Sequence, residues 1–342
     1  MRTAIVREEL AQSIWTPFPS TAFPSTVPLD SEVLEGLQPS ALSVDVTNLC
    51  NLRCKHCFWD AYDEALPAKT NESILDSVKA VLKKYPSITN ITWYGGEPLI
   101  SNKTIALVQQ GLTFKKNNLV ITNGTFPIPE WRRNVHFGVS IDGTQAIHDT
   151  LRGVNAYNRS KNNILSAIAK GVSVGILYCL NAVNIDCVTD FLEEWAEIKP
   201  LTIGFTAYTP LIGKPSYLTL SDRQRDKIVS LLVRMKKRYG KLIYNTEAMI
   251  ELIHVKYGEA LVEHCPMNVF NRQEKVYSLH MCNNGTIRFP CALGKNADHL
   301  HCRSITKLAL YAAKVLRDKD SLRALLRMYH SKPHHDGNEL FS

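Results

Sequence analysis

The sequence predicts an α/β chain built on a parallel sheet, with a smaller cysteine-bearing part after it. Three observations carry this. From residue 41 to about 208, short apolar runs alternate with stretches of helical periodicity six times. Parallel neighbours need a crossover between them, and a helix is the usual one. The residues with chemical content fall directly after the first four runs, at the edge where parallel sheets place their ligands. Beyond this region Cys265, Cys282, Cys291 and Cys302 crowd into 38 residues.

Taken in order, residues 1–40 are rich in proline and serine, as in Trp15-Thr16-Pro17-Phe18-Pro19. That composition reads as an extended arm. Strands are expected at Leu42–Val46, Asn90–Tyr94, Leu119–Thr122, Val135–Ile141, Val172–Leu180 and Leu201–Tyr208. Between them, Ile74, Val78, Val81, Leu82 and Tyr85 recur at helical spacing after the polar start Thr70-Asn71. Ile164, Ile168 and Ala169 do so before Gly171, which is placed to stop a helix. Val188, Phe191, Leu192 and Trp195 form a third stripe. Ser221 and Gln224 make a capping-box pattern for a helix over Ser221–Arg238, with Ile228, Leu231, Leu232 and Met235 facing inward. Thr246–Tyr257 reads as another helix. Asn284-Gly285 between alternating segments predicts a hairpin with Cys282 near its turn. The expected organisation is an arm over 1–40, a sheet domain over 41–240 and a cysteine-bearing domain over 241–342.

Composition narrows the class. Hydrophobic content is 45%, enough for a sizeable core. Nine cysteines is an odd count. It fits metal ligation in a reducing compartment better than a disulfide framework. The N-terminus carries Glu8 and Glu9 where a signal peptide needs an apolar core. No apolar run reaches the roughly 18 residues of a membrane span. A soluble cytoplasmic protein with no membrane partner is expected. Formal charge is +8, part of it in Arg234–Arg238 and from Lys307 to Lys332. Such surplus attracts phosphorylated or acidic partners, or simply marks solvated helix faces. Basic residues are not interleaved with aromatics, so nucleic acid is not an expected partner.

Cys50, Cys54 and Cys57 follow the first strand at C-x3-C-x2-C spacing. Three thiolates can hold three irons of a cubane cluster and leave the fourth open, whereas a four-thiolate cluster only passes electrons. Zinc would want a fourth ligand at finger spacing, which His56 does not supply. The second motif is Tyr94-Gly95-Gly96-Glu97-Pro98. Two glycines let the backbone come close to a ligand, and the carboxylate of Glu97 can hold a cationic amine. Taken alone the tetrapeptide also reads as a turn. The third is Val139-Ser140-Ile141-Asp142-Gly143, followed by His148-Asp149 and Arg152-Gly153. Asn123-Gly124 ends the strand between these motifs.

Together these stretches resemble the radical S-adenosylmethionine (SAM) superfamily. The Ser-Ile-Asp-Gly, His-Asp and Arg-Gly series is similar to its SPASM and twitch subgroup. The resemblance implies a partial (β/α)6 TIM-like barrel with a small twitch-like C-terminal domain. It implies a SAM-binding 4Fe–4S cluster on Cys50, Cys54 and Cys57, served by a flavodoxin- or ferredoxin-type electron donor. Gly95, Gly96 and Glu97 would bind the amino group of SAM. Ser140 would contact its ribose or methionine part, and Arg152 would pair with its carboxylate. Asn123 and Asp142 would line the same edge. His56 takes the position of an aromatic beside adenine, with Phe205 and Tyr208 as further adenine-side candidates.

SPASM proteins proper carry more cysteines and two auxiliary clusters. Cys265, Cys282, Cys291 and Cys302 imply one auxiliary 4Fe–4S cluster. A zinc site with His299 or His301 replacing a cysteine is the alternative. Cys179 and Cys187 read as core thiols. The implied reaction is reductive cleavage of SAM to a 5′-deoxyadenosyl radical that takes hydrogen from a small biosynthetic substrate. Modification of a ribosomally made peptide is the alternative. A non-catalytic electron carrier is a third reading, but it has no use for Gly-Gly-Glu-Pro or Arg152. Asp60, Tyr94, Tyr178, Tyr208 and Glu247 are the acid–base candidates.

Overall fold

A computed structural model describes residues 26–58, 70–114, 117–212, 216–265, 277–288, 291–294 and 296–329. One sheet runs through it, with strands β1 (Thr26–Val27), β2 (Ala41–Asp45), β3 (Asn90–Tyr94), β4 (Asn117–Thr122), β5 (Val135–Ser140), β6 (Val174–Leu180), β7 (Ile203–Ala207), β8 (Ser278–Met281) and β9 (Ile287–Arg288). Their order is β1-β9-β8-β2-β3-β4-β5-β6-β7. The six expected strands are all present, in sequence order and parallel. Asn90–Tyr94 has the predicted ends; the other five differ by a residue or two at one end or both, because the pattern shows side-chain alternation and not the last ladder bond.

The hairpin forms at Asn284-Gly285, with Gly285 at φ 80°. Its destination was not predicted. β8 lies parallel to β2, with Ser43 opposite His280, so the C-terminal hairpin widens the main sheet. β9 pairs antiparallel with β8, and β1 pairs antiparallel with β9. The outer edge of β2, a row of unpaired backbone groups otherwise, is thereby satisfied. Of the expected N-terminal arm, residues 1–25 lie outside the described residues; its described end supplies β1.

Strand alternation separates two faces. Leu42, Val44, Ile91, Trp93, Val120, Phe137, Val139, Ile176, Tyr178, Ile203 and Phe205 are buried in one continuous core. The covering helices are α1 (Asn71–Lys84), α2 (Asn102–Gly111), α3 (Gln145–Arg152), α4 (Ala156–Ala169) and α5 (Val188–Ile198). The predicted stripes Ile74, Val78, Val81, Ile164, Phe191, Leu192 and Trp195 are their buried sides. Close packing is visible at Gly111, where a Cβ would meet the Trp93 ring at 2.2 Å. α4 stops as predicted: Gly171 has φ 74°, and the Val172 amide donates to the Ala167 carbonyl at 3.0 Å.

The other face is polar and reached by solvent. Ser43, Tyr94, Ser140, Leu177, Cys179 and Thr206 are all part-exposed, although their strand neighbours are dry. Register keeps them on one side: Ser140 stands opposite Leu177, and Cys179 opposite Thr206.

Beyond β7, α6 (Asp222–Tyr239) opens with the predicted capping box between Ser221 and Gln224. The helix expected over Thr246–Tyr257 is broken into α7 (Glu247–Glu251), a 3-10 turn and α8 (Gly258–Glu263). In the break, the carbonyls of Ile253 and His254 accept bonds from the buried guanidiniums of Arg225 and Arg303. No local pattern announces that tertiary competition. α9 (Ile305–Lys314) and α10 (Lys319–Tyr329) complete the described chain.

Candidate functional site

The cysteine loop leaves β2 and is held against the start of the Gly-Gly-Glu-Pro segment by backbone bonds. The Gly96 amide donates to the Thr47 carbonyl at 2.7 Å, and the Glu97 amide to the Leu49 carbonyl at 2.8 Å. A Cβ on Gly96 would stand 2.1 Å from the Leu49 oxygen, and one on Gly95 2.5 Å from the Thr47 oxygen. The two glycines therefore serve close approach, but to the cysteine loop itself. Loop and glycine turn fold as one unit.

Glu97 has no exposed surface. Its Oε1 accepts from the Thr122 hydroxyl at 2.6 Å and the Leu99 amide at 2.9 Å. Its Oε2 accepts from the Asn123 amide at 2.8 Å. Burial pushes its carboxyl up, and these donors partly offset that. Glu97 thus ties the end of β3 to the end of β4 and sets Asn123. The Asn123 amide group in turn donates to Asn51 at 3.0 Å and to Cys50 Sγ at 3.8 Å.

Asp142, at the end of β5, is a second hub with no exposed surface. Arg152 Nε lies 2.5 Å from its Oδ2 and His56 Nε2 2.9 Å away, while the Cys179 amide donates to Oδ1 at 2.7 Å. Burial alone would raise the Asp142 carboxyl. Arg152, and then His56, outweigh it and hold the group well below the usual carboxylate range. Arg152 Nη1 reaches Cys54 Sγ at 3.8 Å. The Lys55 amide donates to the Leu151 carbonyl at 2.8 Å, docking the cysteine loop on α3. His148 accepts from the Asp142 amide at 3.1 Å, and burial, then Arg152, lower it to about 3.

Several candidates therefore point elsewhere than expected. His56 turns inward to Asp142. Phe205 has no exposed surface, its ring lies 5.3 Å from that of Tyr178, and its amide donates to Asn245 at 2.7 Å. Both aromatics belong to the helix-covered layer; Thr206 and Tyr208 take the alternate positions. Tyr178 is further tied by its hydroxyl to the Asn184 carbonyl at 2.8 Å. Glu247 is exposed at the start of α7, and Asp60 lies outside the described residues. Cys187 sits 3.6 Å from the Tyr178 hydroxyl in that layer. Cys179 is on the inner face instead, beside Asp142.

One constellation was missed. Tyr94 Oη is 2.6 Å from His280 Nδ1. His280 Nε2 is 2.9 Å from Asp45 Oδ1, and Arg288 Nη2 donates to Asp45 Oδ2 at 3.0 Å. Asp45, His280 and Arg288 are buried, while the Tyr94 ring meets Phe58, next to Cys57, edge-on at 6.0 Å. Burial, reinforced by Asp45, pushes the Tyr94 phenol well above its ordinary value. The sequence held one signal: Asp45, a carboxylate inside an apolar strand.

Cys265, Cys282, Cys291 and Cys302 are all buried. Burial, then Cys265 and Cys302, push the Cys291 thiol up to about 12, so these three are electrostatic neighbours. Cys282 is raised to about 11 by burial, and the charges acting on it are Arg288 and Asp45. His299 and His301 bond to the Gly294 carbonyl at 3.0 Å and to Asp298 at 2.6 Å. Among the described residues no three His, Cys, Asp or Glu side chains are gathered around a single-ion position.

The donor set around Cys50 and Cys54 fits an iron–sulfur cluster. The Leu52 amide, at 3.4 Å from Cys50 Sγ, joins Asn123 and Arg152 in directing N–H groups at the sulfurs. Such bonds favour the charged thiolate that ligates iron.

Residues 44–194 match the family model of the radical SAM superfamily. Similar curated proteins include the pre-heme d1 synthase of Dinoroseobacter shibae, 25% identical over 48% of this chain and 43% of that protein. Another is the sporulation killing factor maturation protein SkfB of Bacillus subtilis, 27% identical over 48% of this chain and 41% of that one. The chain spans less than half the length of either. Among solved structures, Streptococcus suis SuiB matches with a TM-score of 0.58 and 14% identity, covering 75% of this chain and 60% of that one. This likeness concerns the fold, an α/β arrangement on a parallel sheet. Members of the superfamily use SAM and a 4Fe–4S cluster. Among the described residues no helix is long and apolar enough to cross a membrane.

Proposed function

We propose that this chain is a radical SAM enzyme acting on a small biosynthetic intermediate, with Cys50, Cys54 and Cys57 holding the SAM-binding cluster. The observation that carries the reading is the contact of Arg152 with Cys54 Sγ, because it brings motifs far apart in sequence to one point. When bound, the cluster and SAM supply a one-electron cleavage that yields a 5′-deoxyadenosyl radical. The chain's residues do the rest. Asp142 fixes Arg152, whose remaining guanidinium N–H groups would take the SAM carboxylate. Glu97 sets Asn123 beside Cys50. Ser140, Tyr94 and Thr206 line the part-exposed inner face where a substrate would lie. Cys265, Cys282, Cys291 and Cys302 would hold an auxiliary cluster.

Likeness to a pre-heme d1 synthase supports a small-molecule substrate. Likeness to a killing-factor maturation protein supports the second reading, a ribosomally made peptide. A reducing cytoplasmic setting and a flavodoxin- or ferredoxin-type donor complete the proposal. The test is reduction of the iron-loaded chain with SAM. Release of 5′-deoxyadenosine is expected, and changing Cys50, Cys54 and Cys57 together to Ala should remove about four irons and all release. Release that persists in the triple variant would overturn the reading. Deuterated small molecules and deuterated peptides, tried in parallel, separate the two substrate classes by which transfers deuterium into 5′-deoxyadenosine.

A further inference from the structure

Three cations are sealed into the C-terminal part of the chain, and none of them forms an ion pair with a carboxylate among the described residues. Arg225 of α6 and Arg303 have no exposed surface, and Lys307 of α9 is 1% exposed. Their partners are neutral carbonyls. Arg303 donates to Leu300 at 2.7 Å, to Cys302 at 3.0 Å and to His254 at 3.0 Å. Arg225 donates to Ile253 at 3.3 Å, and Lys307 Nζ to His299 at 3.4 Å. Arg225 Nε and Nη2 and Arg303 Nε have no hydrogen-bond partner among the described residues. Asp298, whose field reaches both arginines, bonds instead to His301 and to the Leu300 amide.

A buried charge left without a counter-charge is strongly destabilising, and arginine does not escape by losing its proton. Here two guanidiniums also repel each other. Burial, then Arg225, lower Arg303 to about 10. Such a cluster persists only if negative charge is supplied next to it. Asp222 and Asp298 act on Arg225, and Asp298 on Arg303, without bonding to either. Thiols are the remaining source: Cys302 precedes Arg303 and acts on it more strongly than Asp298, and Lys307 acts on Cys291.

We propose that Arg225, Arg303 and Lys307 are the built-in counter-charge of an anionic metal–thiolate centre on Cys291, Cys302 and their neighbour Cys265. This rests on the reading that the second cysteine group holds a metal centre. Each electron added to an iron–sulfur cluster makes it more negative, so buried cations beside it favour the reduced form and raise its potential. In the metal-free chain the negative charge of the centre is missing and the same cations repel one another. Removing one should therefore have opposite effects on the two forms.

The test uses the full chain with Cys50, Cys54 and Cys57 changed to Ala, so that only the second site takes metal. Lys307→Met and Lys307→Arg are made in that background. Metal content, cluster midpoint potential and thermal midpoint are read for the loaded and metal-free forms. Lys307→Met should lower the potential, lower the loaded thermal midpoint and raise the metal-free one. Lys307→Arg should restore all three toward the parent. A fall in both thermal midpoints with an unchanged potential overturns the inference, because that is what a packing residue does. A parent that takes zinc and no iron overturns the auxiliary-cluster reading alone; the opposite thermal shifts then still decide the counter-charge. A parent that takes no metal overturns both.

Discussion

Arg152 Nε lies 2.5 Å from Oδ2 of Asp142, a carboxylate with no exposed surface. The pair explains why a motif read as a ligand contact also holds the domain together. Asp142 receives Arg152 from α3, His56 from the cysteine loop and the Cys179 amide from β6. One buried carboxylate thus fixes three segments around Cys54.

Asp142→Asn should destabilise the chain by about 3–5 kcal/mol, the range seen when one partner of a buried ion pair is removed. The pair also sets a pH dependence. The folded carboxyl is held below its unfolded value, so its contribution is full above about pH 4–5 and is lost as pH falls toward the folded value. In metal-free protein the thermal midpoint of the parent should therefore fall more steeply with acidification than that of Asp142→Asn. Parallel curves would show that Asp142 carries no net charge stabilisation.

Gly96→Ala should disrupt the cysteine loop more than the sheet. The added methyl meets the backbone oxygen of Leu49 at 2.1 Å, and a backbone atom cannot swing aside as a side-chain tip can. Cys50 is the next residue. We expect near-normal far-UV circular dichroism, loss of the iron held by Cys50, Cys54 and Cys57, and loss of 5′-deoxyadenosine release. Full iron loading would show that the loop adapts.

The parallel sheet and the grouping of Cys50, Cys54, Asn123, Asp142 and Arg152 were legible in the sequence. Strand periodicity and motif position depend on local pattern, and local pattern survives folding. Side-chain direction within a motif was not legible. His56 was expected toward a ligand, but the buried charge of Asp142, 86 positions away, draws it inward. Phe205 was placed on the wrong face because an apolar strand five residues long gives no sign of which alternate set is covered. The docking of β8 on β2 joins residues more than 230 positions apart, as at Ser43 and Ser278. Nothing in either segment alone specifies the other.

Tyr94→Phe removes the hydroxyl held 2.6 Å from His280 Nδ1. It leaves a buried ring nitrogen without its partner, at a cost of about 1–3 kcal/mol. Tyr94 is also one of the part-exposed residues of the inner face, so the variant should uncouple the reaction. 5′-deoxyadenosine should still form, with less substrate consumed per molecule released. Unchanged coupling with lowered stability would assign Tyr94 to the fold alone.

Arg152 separates two roles that share one side chain. Its Nε belongs to Asp142 and its Nη1 to Cys54, so a planar fork spans the carboxylate and the sulfur. Lysine offers a point charge on a flexible stem and cannot reproduce that span. Arg152→Lys should keep charge beside Asp142, and with it much of the stability. It should weaken SAM binding by about 1.5–3 kcal/mol, roughly tenfold or more. Arg152→Ala should lose both, because Asp142 is then buried without its principal partner. Titration of SAM into the iron-loaded variants, beside chemical denaturation of the same proteins, resolves the two. If Arg152→Lys binds SAM as the parent does while Arg152→Ala only unfolds more readily, the guanidinium serves Asp142 and the SAM carboxylate is held by another group.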